Sequence, residues 1–170
     1  MNLFESASLL DESDLTYLEE SQGIALPEDY RRFLLAHNGG YPELCVFPID
    51  DFPRDTHAMV GWFFALEGAF SDTGAVEGYQ GLPPTIEEAL VDYRNRVPSD
   101  LLPIARDPGG NLICLGVKGE QTGKVYFWDH NEESIDEEGH PTYLNVYKIA
   151  DTFTKFLNSL VSEDLFDLDQ

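Results

Sequence analysis

Asp129 followed by His130, and the pair Asp50 and Asp51 a short way before His57, are the places where this chain could do chemistry. A carboxylate that orients an imidazole makes a general acid and base, and two carboxylates with an imidazole offer oxygen and nitrogen to a metal ion. The spacing argues against both. Neighbouring residues at the end of a strand point to opposite faces, so Asp129 cannot orient His130 along its own strand. The acidic pair comes without HExxH, DxDxDG or cysteine-ligand spacing, and loop carboxylates are usually solvated. His37 falls on the apolar side of a helix near its last turn, where a donor meets the free carbonyls, which is a structural role. The serines lack a nucleophile-elbow context, and the glycines at 109–110 and 119–123 lead into no helix that could cradle a phosphate. We expect no catalytic residue, no metal and no cofactor.

The charge suggests binding instead. With 32 acidic and 10 basic residues, the 170-residue chain carries a formal charge of −22. Such a surface repels nucleic acid and anionic membrane, so direct binding to either is not expected. It attracts a basic protein, speeding encounter in a way that salt weakens. Taken alone, the charge fits general solubilisation or a saline host equally well. A hydrophobic fraction of 42% and an aromatic fraction of 12% mark a folded chain rather than an acidic disordered one.

The elements that must position these groups read as follows. A short helix begins near Ser13 or Asp14 and stops at Gly23, with Leu15, Leu18 and Tyr17 towards one side. A stronger helix follows Pro27: Tyr30, Phe33, Leu34 and His37 recur at helical spacing, and Gly39 and Gly40 close it. Residues 44–49 and 60–66 read as strands, the first ended or edged by Pro48, with a loop between them. Thr85 and Glu88 form a capping box for a third helix. From Leu101 onward, glycine-bearing turns divide runs of branched and aromatic residues, which predicts an antiparallel meander. The acidic insert 131–139 has almost nothing to bury and reads as a mobile loop. Asp151 is placed to cap a last helix carrying Phe153, Phe156, Leu157, Leu160 and Val161, after which an acidic tail, 163–170, frays. Helices set against a mainly antiparallel or mixed sheet give a single α+β domain. Cys45 and Cys114 read as reduced core thiols. The start lacks a basic region before a long apolar run, and no stretch is long enough to span a bilayer, so cytoplasmic residence is expected.

Two blocks then resemble a known family. Leu26, Pro27, Tyr30, Phe33, Leu34, Asn38, Gly39 and Gly40 are similar to the N-terminal motif of the SMI1/KNR4 family, also called the SUKH superfamily. Leu102, Pro103, Ile104, Ala105, Gly110, Asn111, Cys114, Leu115, Gly123 and the run Val125 to Asp129 are similar to its second block. The resemblance covers about residues 10–162 of the chain. It implies a non-catalytic protein-binding domain. Bacterial members resemble immunity proteins that neutralise toxin domains, many of them nucleases, and fungal members look like scaffolds in signalling. A basic toxin domain is thus the expected partner, with a general interaction scaffold as the alternative; self-association is left open. Candidate contacts are Asp50, Asp51, Asp55, Asp72 and Glu77 in loops, with Phe70 and Tyr79 as aromatic contacts. The insert, with Glu132, Glu133, Asp136, Glu137 and Glu138, is a second candidate, read first as a solvated loop.

Overall fold

In the computed structural model, which describes residues 2–50, 56–66 and 85–166, capping chemistry fixes where most helices start. After β1 (Leu3–Phe4), α1 (Glu12–Gln22) begins at Asp11. That carboxylate accepts from the Ser13 and Asp14 amides at 2.7 and 3.2 Å, while Asp14 accepts from the Asp11 amide at 2.8 Å. The reciprocal cap starts the helix earlier than the sequence pattern suggested. Leu15 and Leu18 are buried, but Tyr17 is 74% exposed, so the inward stripe is narrower than expected. The next helix, α2 (Glu28–His37), follows Pro27 as predicted and buries Tyr30, Phe33 and Leu34. Arg31 joins the two helices through ion pairs to Glu12 and Glu19.

The strands β2 (Tyr41–Pro42), β3 (Val46–Pro48), β4 (His57–Met59) and β5 (Trp62–Phe63) come next. Pro48 does end its strand. β4 was not expected: it starts in the segment read as loop and pairs antiparallel with β3, His57 opposite Pro48. Only two residues of the 60–66 run form a strand, although the whole run is buried. A helix, α3 (Ile86–Asp92), starts with the Thr85 and Glu88 box read from sequence. The meander β6 (Leu101–Arg106), β7 (Leu112–Gly116), β8 (Val125–Trp128) and β9 (Val146–Ala150) is followed by α4 (Phe153–Ser159) and the short α5 (Glu163–Phe166).

Strands β5 to β9 form one five-stranded sheet in sequence order, antiparallel throughout, and β1 with β2 and β3 with β4 form two small ribbons. Pro103 lies inside a central strand, where it cannot complete the ladder, and the register shifts between Pro103 and Ala105. Gly116 is required by proximity: a Cβ there would lie 1.8 Å from the Gln121 carbonyl oxygen, because the turn after β7 folds back onto the strand. Helices α2 and α4 pack by their aromatic rings, with Phe153 against Tyr30 at 4.9 Å and against Phe33 at 5.1 Å, and Phe33 also meets Phe63 of β5 at 4.9 Å. The Tyr30 hydroxyl is buried there without a hydrogen-bond partner. Burial pushes that phenol's pKa upward, with the nearby Glu87 charge acting in the same sense.

Thr152, not Asp151, caps α4, accepting from the Lys155 amide at 3.1 Å. Asp151 is one residue too early and instead takes hydrogen bonds from Lys148 and Lys155, which hold its carboxyl down at about 2. Of the expected α4 stripe, Phe153, Phe156 and Leu160 are buried and Val161 is 41% exposed. Cys45 and Cys114 are free and buried, and desolvation raises both thiol pKa values. No helix among the described residues is long and apolar enough to cross a membrane.

Candidate functional site

Asp129, just past β8, is fully buried, and its carboxylate serves the backbone: Oδ1 accepts from the Asn131 amide at 2.9 Å, starting a 3-10 turn. His130 turns to Asn111 instead, its own amide 3.0 Å and its Nδ1 2.8 Å from Asn111 Oδ1. Asn111 is in turn held by Asp107, whose two carboxylate oxygens accept from its amide at 2.8 Å and from Nδ2 at 2.7 Å. Asp129 and His130 share no direct hydrogen bond; Asn131 stands between them, its Nδ2 3.3 Å from Asp129 Oδ1 and 3.5 Å from His130 Nδ1, so the carboxylate does not orient the imidazole itself. His37 packs against Phe33 with ring centres 5.5 Å apart, and burial lowers its pKa, which suits a packed imidazole.

Of the candidate contacts, Asp50 is exposed just past β3, and Asp51, Asp55, Phe70, Asp72, Glu77 and Tyr79 lie outside the described residues. His57 meets Thr56, Nδ1 to Oγ1 at 2.9 Å. An exposed trio elsewhere, Asp136, Glu138 and His140, brings its ligand atoms within 4.8 Å of one another. Turn formation accounts for that closeness, because Asp136 Oδ1 accepts from the Glu138 and His140 amides at 3.0 and 2.8 Å.

The acidic insert differs most from its sequence reading. It is a hydrogen-bonded hairpin closed at its base by Asn145, whose carbonyl accepts from the Asp129 amide at 2.9 Å and whose Nδ2 donates to the Asp129 carbonyl at 2.8 Å. Further up, Ile135 bridges Pro141, and the Ser134 and Thr142 hydroxyls lie 2.6 Å apart. Residues 131–140 are nonetheless all exposed. Glu133 pairs with Arg96, and that guanidinium also lies 5.0 Å from the Tyr93 ring centre and 5.4 Å from that of Trp128. The Trp128 indole donates to the Arg96 carbonyl at 3.2 Å, so hairpin, sheet and the end of α3 are fastened together.

Two hollows open along this junction. The first, about 300 Å³, is lined by Arg96, Glu133, Ile135, Pro141, Tyr143 and Asn95. The second, about 270 Å³, lies beside it against Leu90, Tyr93, Arg94 and Pro98, and shares Asn95 and Tyr143 with the first. Both shared residues have left-handed backbones, φ 62° and 55°. Sequence reasoning missed this groove because Asn95 and Tyr143 are far apart in the chain and a positive φ at a tyrosine has no sequence signature. A further hollow of about 270 Å³, beside Tyr41, Trp62 and Arg106, includes neither Asp129 nor His130.

The model of the SMI1 / KNR4 family (SUKH-1) matches residues 9–159. The chain belongs to this family. A relative, the SPbeta prophage-derived uncharacterized protein YokK of Bacillus subtilis (strain 168), is 31% identical over 172 aligned residues, covering 93% of this chain and 78% of the relative. The residues that carried the SMI1/KNR4 resemblance serve the frame. Asn38, fully buried, sits at φ 37°, donates through Nδ2 to the Ser8 carbonyl at 2.8 Å and accepts at Oδ1 from the Leu66 amide at 2.9 Å. Gly39 follows at φ 76°, where a Cβ would meet Ala65 N and Phe63 O at 2.9 Å. Trp128 and Tyr30 are fully buried. The family motif therefore describes an architecture, and the partner-facing residues must be sought outside it.

Proposed function

We propose that this protein acts as an immunity-type binding protein: it holds a toxin domain in a stoichiometric complex and covers that domain's active surface without chemistry of its own. Membership of the SMI1/KNR4 family carries this reading, and the charge of −22 supports a cationic counterpart. A nuclease with a basic substrate groove is the natural toxin, because an acidic protein competes for the groove that nucleic acid would occupy. Inhibition then comes from occlusion, with steering by charge. The complex forms in the cytoplasm and needs no cofactor or metal. Asp50, Asp51, Asp55, Asp72 and Glu77, with Phe70 and Tyr79, are proposed contacts; reversing the charges of the five acids should weaken binding and flatten its salt dependence.

The test is affinity capture from the native organism at low and moderate salt, with partners identified by mass spectrometry and their toxicity scored with and without this protein. The expected result is a stoichiometric basic domain that arrests growth alone and is silenced by co-production. Reproducible recovery only of non-toxic signalling or assembly proteins at matching stoichiometry would overturn the reading.

A further inference from the structure

We propose that the groove between the end of α3 and the 131–145 hairpin receives a basic segment of a partner protein, seating an apolar side chain beside Tyr143 and its lysines or arginines along the hairpin's carboxylates. This rests on the protein-binding reading and assigns it a surface. The shape comes first: the two hollows of about 300 and 270 Å³ adjoin at Asn95 and Tyr143, which gives a slot suited to an extended segment rather than to a compact ligand. The lining comes second. Ile135, Pro141 and Tyr143 make the first hollow mainly apolar, with Ile135 70% exposed, while the second, where Arg94 and Asn95 join Leu90 and Pro98, is the more polar of the two. A branched apolar side chain held in water is more favourable once covered.

The walls are already fixed. The Arg96 to Glu133 ion pair, the Trp128 indole on the Arg96 carbonyl and the Asn145 clamp on Asp129 hold both sides, so docking orders little that is not ordered already. Charge chooses the occupant. Residues 131–139 contain five acids and no base. Arg96, the cation lining the first hollow, is engaged by Glu133 and by two aromatic rings, so an anionic segment finds no ready donor there. Arg94 lines the second hollow, which sets a direction: the apolar side chain sits in the first hollow beside Ile135, and the cationic residues run along the acidic hairpin, away from Arg94.

The probe is a synthetic peptide with one tryptophan and one leucine flanked by lysines, titrated into the full-length, isotopically labelled protein at low and physiological salt. Amide shifts should centre on Asn95 and on residues 134–145. Ile135→Asp decides between groove and bare charge, because it adds a carboxylate while removing an apolar wall. The groove predicts that it weakens the peptide by about tenfold, whereas attraction to charge alone predicts equal or tighter binding. The triple variant E132Q/E137Q/E138Q should also weaken binding several-fold at low salt, with the difference shrinking as salt rises. Shifts spread over the acids of α1 and α2, no localised shifts at millimolar peptide, or an Ile135→Asp protein that binds as well as the parent would each overturn the proposal. A captured toxin indifferent to Ile135→Asp would refute the groove and leave the immunity reading standing; peptide bound in the groove with no toxin recovered would do the reverse.

Discussion

The turn at Asn38 and the hairpin closed by Asn145 use the same device, an asparagine amide bonded to distant backbone near a left-handed residue, in opposite surroundings. Asn38 is fully buried and ties Ser8 to Leu66 across the frame. Asn145 is 3% exposed and ties only Asp129, while the ten residues 131–140 beyond it face solvent. A segment can thus be fixed in shape without being buried: the amide at the base holds the backbone, and the side chains above it are left for contact. The frame carries the fold, and the hairpin presents charge.

The largest effect should separate the two asparagines. Asn38→Ala removes two buried hydrogen bonds and leaves an alanine at positive φ, so it should cost about 3 kcal/mol, and Asn145→Ala, with one such bond, about half as much, read by urea unfolding. Equal losses would break the comparison. Next comes Tyr30→Phe, which removes a buried hydroxyl that bonds to nothing and should raise stability by about 1 kcal/mol in the same assay. A loss instead would mean that the hydroxyl is satisfied in solution. Smaller again, Glu137→Gln with Glu138→Gln should shift stability by less than about 0.5 kcal/mol, because both side chains are exposed. The smallest effect concerns Asp151, whose carboxyl is lowered from 3.8 to about 2 by hydrogen bonds from Lys148 and then Lys155. A depressed folded-state value adds stability above 3.8 that disappears as pH falls towards 2, so the parent and Asp151→Asn melting curves should differ slightly at neutral pH and converge near pH 2.

The frame was legible because its signals are local. The Thr85 and Glu88 box, the Tyr30, Phe33 and Leu34 stripe and the turn-divided meander each lie within a few residues, and all three formed. Where reading failed, the deciding partner was distant or competed with a neighbour. β4 exists because Val46 to Pro48 offer a ladder to His57 to Met59, which composition does not announce. Asp151 lost the α4 cap to Thr152, one residue nearer the helix, and found lysines instead. The hairpin looked mobile because acids dominate it, but its order comes from backbone and hydroxyl bonds that charge counting overlooks. The groove was invisible for the same reason, since its two sides come from residues 95 and 143.

The clamp between Asp129 and Asn145 also bears on how such a protein could diversify. It closes the hairpin at its base, beside the Trp128 and Val146 pair of β8 and β9, so the strand register is set before the hairpin sequence begins. Residues between the two ends can be exchanged as a cassette while the sheet beneath keeps its alignment. A lineage can therefore rewrite this exposed tip in small steps, each leaving a folded molecule on which the next can be tried.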